Sequence, residues 1–145
     1  MRLVKPLTYM NRSGAVLAPL RASGPFEVAT ELLVLVDEAA LSAGTFRLRA
    51  AGSAGGHNGL KHLEEVLGSR EYPRLRIGVG PVPAGVEDLA DWVLDFPDPG
   101  DRAAIAALFD PMADAVECWL RDGIDVAMNR FNRRPGNPGP EEPPA

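Results

Sequence analysis

Cysteine is almost absent from this chain. Cys118 is the only one in 145 residues, which excludes an internal disulfide and any cluster of thiolate metal ligands. Histidine is scarce too: His57 and His62, with Cys118, show no metal-ligand spacing, so no metal is expected. No apolar run approaches the ~20 residues that span a bilayer. The N-terminus lacks the basic, apolar and small-residue order of a secretory signal. Together these absences favour the cytoplasm. Bulk positive charge is missing as well. A net charge of −5 argues against a protein that coats nucleic acid through charge alone.

What is present suits one globular domain. A hydrophobic content of 46% against 24% charged residues is enough to bury a substantial core. Charge is unevenly spread. Arg47, Arg49, Lys61, Arg70, Arg74 and Arg76 face only Glu64, Glu65 and Glu71 in the same stretch. That stretch is either a local phosphate site or an ordinary solvated surface.

The hydrophobic pattern alternates between strand and helix signals. Arg2-Leu3-Val4 reads as a strand end, which Pro6 stops from extending as an interior strand. Ser13 is placed to cap a short helix running to about Ala22, with Pro19 against it. Glu31 to Val36 is a continuous aliphatic run, as in strands buried on both faces, and it closes on Asp37. Thr45 to Arg49 alternates as a half-buried or edge strand would, and Arg74 to Val79 is another alternating strand. Asn58 to Leu67 carries Leu60, Leu63, Val66 and Leu67 at helical spacing, with Lys61, Glu64 and Glu65 opposite. A short helix is expected over Val86 to Leu94. A long one is expected over Arg102 to Asp122, either kinked by Pro111 or split there, with Gly123 as its stop and a last turn or two to Phe131. Phe109, Trp92, Cys118 and Trp119 read most simply as packing residues. The tail from Arg133 to Ala145 holds five prolines and no large apolar residue, and is expected to be disordered. This alternation predicts an α/β fold: a single domain over 1–132, with a mixed, largely parallel sheet flanked by helices.

Two polar motifs stand out on this scaffold. The first is Lys5-Pro6-Leu7-Thr8-Tyr9-Met10-Asn11, and the second is Gly52-Ser53-Ala54-Gly55-Gly56-His57-Asn58-Gly59. The second lacks Gly-Lys-Ser/Thr, and its glycines miss the dinucleotide spacing, so it is neither kind of nucleotide loop. It leads instead into a helix N-terminus, whose free N–H groups favour anions and carbonyl oxygens. Asn58 is a helix N-cap or a substrate contact. Asp37 is a local cap, or the orienting carboxylate of a histidine, as in the third member of a catalytic triad. Tyr9 and Met10 are either core or site walls. His62 is expected to face solvent or the helix edge, with no role. In parallel sheets ligands gather beyond the carboxyl ends of strands, so Asn11, Asp37 and the His57 loop are expected to share one site.

These three segments resemble the bacterial-type peptidyl-tRNA hydrolases, and the resemblance runs from Leu3 to about Asn132. It implies hydrolysis of the ester between a peptide and the tRNA 3′ end by water. It implies no metal, no organic cofactor and no membrane, and a monomer acting on peptidyl-tRNA. Asn11 and Asn58 would then bind the peptide and the attacking water, with Tyr9, Met10 and His57 lining the site. Arg49, Lys61, Arg74 and Arg76 would meet the tRNA backbone. In the family, the matching Asp orients a histidine carried on an N-terminal segment, upstream of a residue corresponding to Met1. No histidine precedes His57 here, so an N-terminally truncated hydrolase is expected, with strands left unpaired. Two alternatives stand beside it: a non-catalytic homologue that binds the tRNA acceptor end, and a hydrolase using His57 as base.

Overall fold

The computed structural model describes residues 1–5, 10–22, 24–52, 58–80 and 99–132, with the backbone alone for Met10, Asn11, Ser13 and Asn58. Three strands form one mixed sheet: β1 (Val34–Ser42), β2 (Phe46–Arg49) and β3 (Arg74–Gly80). Their order is β1-β3-β2. β3 runs parallel to β1 and antiparallel to β2. A tight turn joins β1 to β2. The backbone N–H and hydroxyl of Thr45 both donate to the Ser42 carbonyl, at 3.2 and 2.7 Å, and Gly44 takes φ 94°, where a side chain would be strained. The connection from β2 to β3 holds α3 (Asn58–Leu67).

The period of two along each strand divides the core. On one face, Val34 and Val36 pack with Leu17, Leu60, Leu63 and Tyr72, under α3 and the N-terminal helices. Those helices are a 3-10 segment (Met10–Val16), α1 (Leu17–Ala22) and α2 (Val28–Glu31). On the other face, Leu33, Phe46, Leu48, Leu75 and Ile77 pack with Met112, Ala115, Cys118 and Ala127. That layer comes from α5 (Phe109–Asp122) and α6 (Ile124–Phe131), preceded by α4 (Pro99–Ala106). Leu48 and Leu75 have no exposed surface; fully burying side chains of this size contributes ~1.5–3 kcal/mol each. The expected single α/β domain with a mixed sheet between helices is what the chain forms.

Several boundaries move. Glu31 ends α2 and does not start a strand, and Asp37 lies in the middle of β1. Arg2–Val4 is not in a strand; Leu3 is 83% exposed. The N-terminal helix starts at Met10, ahead of Ser13, and Pro19 sits in the first turn of α1, where its missing N–H costs no hydrogen bond. The long C-terminal helix is two in series. The break falls at Ala107–Leu108, and Pro111 occupies the first turn of the second helix. Gly123, at φ 91°, closes α5 by donating its N–H to the Trp119 carbonyl at 3.0 Å. Phe109 is 62% exposed and does not pack in the core. The expected helix over Val86 to Leu94, Trp92 and the Pro-rich tail lie outside the described residues.

Both sheet edges bear on the site. β1 has no partner on its outer side among the described residues, and Leu35 in its middle is 52% exposed. Its register against β3 shifts between Glu38 and Ser42, where the strand carries extra residues. Gly78 and Gly80 sit opposite this bulge, and a Cβ on either would collide with the carbonyls of Ser42 or Ala39. At the other edge, the Asn132 side chain takes the place of a neighbouring strand beside β2.

Candidate active site

A cleft of about 790 Å³ runs along the open side of β1. Its walls include Arg2 to Lys5, Val34 to Asp37, and Gly59, Leu60 and Leu63 of α3. The start of the first polar motif, the strand bearing Asp37 and the end of the second motif thus border one space. The topological expectation is that Asn11, Asp37 and the His57 loop share one site; of these, Asp37 lines this cleft, with Lys5 and Gly59 at its border. Asp37 is half-buried, and its Cα pairs with Ile77 across the β1–β3 ladder. Asn58 is the first residue of α3 and Asn11 the second of the 3-10 segment. Tyr9 and His57 lie outside the described residues, as do the side chains of Met10, Asn11 and Asn58.

A specific hydrogen bond joins the two motif-bearing elements. The backbone N–H of Gly14 donates to Nδ1 of His62 at 2.8 Å. The approach requires glycine: a Cβ on Gly14 would lie 2.8 Å from Val66 Cγ2 and 2.9 Å from the His62 carbonyl oxygen. His62, expected to face solvent or the helix edge without a role, is half-buried and engaged. Sequence spacing misses this bond because its partners are 48 residues apart.

Beside the cleft, one sheet face carries a band of arginines. Arg47 stands opposite Arg76, and Arg49 opposite Arg74, on the antiparallel β2–β3 pair. Arg76 donates from Nε to Glu38 Oε1 at 3.0 Å, and its Nη2 reaches the same oxygen. That ion pair is partly shielded from water. Arg74 is different, at 2% exposed. Its guanidinium lies 4.0 Å from the Tyr72 ring centroid and donates to the Arg70 carbonyl at 2.8 Å. Burial pushes its pKa below the usual arginine value. Strand alternation does put Arg74 and Arg76 on one face, with Arg74 buried against Tyr72. Lys61 is exposed on α3 and Arg49 is half-buried. Arg47, in the same row as Arg49, is buried at 8% exposed.

Among the described residues, no group of three or more His, Cys, Asp and Glu is placed to hold a metal ion, and no helix is long and apolar enough to cross a membrane.

The fold and site define a mixed α/β domain with an apolar cleft edged by Asp37, beside a row of arginines on one sheet face. The sequence as a whole matches the peptidyl-tRNA hydrolase family model over residues 1–139, and the chain belongs to that family. It is 47% identical to a peptidyl-tRNA hydrolase of Gemmatimonas aurantiaca over 135 residues, covering 92% of this chain and 71% of that protein. It is 50% identical to the one from Symbiobacterium thermophilum, covering 90% of this chain and 68% of that protein. The crystal structure of peptidyl-tRNA hydrolase from Acinetobacter baumannii superposes with a TM-score of 0.76 at 31% identity, over 88% of this chain. The chain spans 64% of the length of that crystallised protein. The family match runs from residue 1 through nearly the whole chain, so it lends no support to the expected N-terminal truncation.

Proposed function

We propose that this chain serves the reaction of its family, cleavage of the ester joining a peptide to the 3′ end of tRNA, with water as nucleophile and the cytoplasm as its place. The observation that carries the reading is the cleft, bordered at once by Lys5, Asp37 and Gly59, the flanks of all three polar segments. Within it, Asp37 is the orienting carboxylate for a histidine base. Holding an imidazole in one tautomer makes its free nitrogen a competent acceptor for a proton from water. Asn11 and Asn58 bind the peptide and the water, with Tyr9, Met10 and His57 around the esterified residue.

The tRNA body meets the flank of the site. Lys61, Arg49 and Arg76 face the tRNA backbone. Phosphate contacts of this kind supply affinity and register without reading sequence. Arg74 drops out of the set because its guanidinium is buried, donating to the Arg70 carbonyl and lying over the Tyr72 ring.

The test is release of peptide from an N-blocked aminoacyl-tRNA, by this chain and by a form extended upstream in the gene. Turnover that falls by orders of magnitude in Asp37→Asn, with tRNA binding kept, is the expected result. Turnover indifferent to Asp37 sinks its orienting role. Turnover of the 145-residue chain that is abolished by His57→Ala assigns the base to His57. Binding without turnover in both folded forms identifies an acceptor-end binding homologue instead.

A further inference from the structure

The bond from Gly14 to His62 lies three residues beyond Asn11 and four beyond Asn58. Gly14 follows Asn11 by three residues in the 3-10 segment, with a kink at Arg12 (φ −123°, ψ 19°) between them. His62 follows Asn58 by four residues in an α-helix, and so shares its face. The Gly14 N–H donates to Nδ1, which therefore carries a lone pair, and the neutral ring keeps its proton on Nε2. Because Gly14 lacks a side chain, the two backbones close to van der Waals distance, and the single directional bond fixes their sliding register. We infer that His62 is a positioning residue: through Gly14 it sets the spacing of the Asn11 turn from the Asn58 turn, and so the grip on the peptidyl end of the substrate.

The inference rests on the proposed reaction for its substrate but not for its geometry, and the experiment separates the two. The substrate probe is an acceptor-stem RNA hairpin carrying an N-acetylated amino acid through a non-hydrolysable amide, compared with the bare hairpin. The ratio of the two affinities reports the peptidyl end alone. His62→Asn places Oδ1 where Nδ1 stood, whereas His62→Gln moves the acceptor one bond away. In His62→Ala the ratio is expected to fall roughly 10- to 100-fold, the range of a misplacement by about one ångström, with bare-hairpin affinity unchanged. His62→Asn is expected to restore most of the ratio and His62→Gln little of it. An unchanged ratio in His62→Ala, or Asn behaving no better than Gln, overturns the inference. The Asn–Gln contrast still decides if the alanine variant fails to fold. Should the unsubstituted chain show no preference for the acylated hairpin, the proposed reaction fails. NMR then decides the geometry on its own. Side-chain amide signals of Asn11 and Asn58 that shift in His62→Gln and return in His62→Asn uphold the positioning role, and signals that stay fixed overturn it.

Discussion

Asn132 holds Leu48 by both backbone groups: its Nδ2 donates to the Leu48 carbonyl at 2.9 Å, and its Oδ1 accepts from the Leu48 N–H at 2.9 Å. A single side chain from the end of α6 thereby satisfies the outer edge of β2, midway between Arg47 and Arg49. An edge strand treated this way is closed to further pairing at that point. The same bonds hold the row of arginines in place.

Asn132→Leu is therefore expected to destabilise the chain by about 2–3 kcal/mol, since it leaves a buried donor and a buried acceptor without partners. Urea unfolding measures the loss. Hydrogen exchange at the Leu48 amide should accelerate more than at Leu75, which the central strand protects. Equal acceleration at both sites would mean global unfolding rather than a local edge effect.

The basic residues should separate into two kinds by salt dependence. Lys61→Ala or Arg49→Ala is expected to reduce the slope of log affinity against log salt for tRNA by roughly 0.7–0.9 for each phosphate no longer neutralised. Arg74→Met should leave the slope alone and act on stability, because its charge is buried against Tyr72. Filter binding across a salt series makes the comparison. A slope change for Arg74→Met equal to that of Lys61→Ala would show that Arg74 reaches the ligand.

Tyr72 supplies an alkaline limit. Burial raises its phenol pKa above the ordinary 10.0, and the Glu64 carboxylate adds to the rise while Arg74 opposes it. The folded chain thus holds the proton at a pH where the unfolded chain has released it. The raised pKa contributes stability that is whole below about 10, and that is lost as pH climbs through the folded value. Thermal unfolding between about pH 8 and 11 should show this decline, and Tyr72→Phe should remove that share of it. The hydroxyl is close to Glu64 but lacks hydrogen-bond geometry to it, so the same substitution should be nearly neutral at about pH 7.

Gly78→Ala tests the β1 bulge. A Cβ there meets the Ser42 carbonyl head-on and lies 3.0 Å from the Leu41 carbonyl oxygen. These contacts are backbone, which cannot yield as a flexible side chain would, so a loss of about 1–3 kcal/mol is expected. A melting temperature equal to that of the unsubstituted chain would show that the register slips freely between Glu38 and Ser42.

Local periodicity makes much of this molecule legible from sequence. Leu60, Leu63 and Leu67 set α3 at the bounds it adopts, Gly123 marks the end of α5, and the alternation from Arg74 makes β3 a strand. The helix period, the strand period and the backbone freedom of glycine act over a few residues, so they survive without knowledge of the fold. The motif string carries the family. Sequence does not say which face of a strand is covered, which edge is open, or what meets across long separations. Alternation places Arg74 and Arg76 together, yet only packing decides that one is sealed against Tyr72 while the other pairs with Glu38. His62 meets Gly14, and Asn132 meets Leu48, across 48 and 84 residues of chain. Such meetings depend on where distant backbones stop in space, which no local pattern encodes.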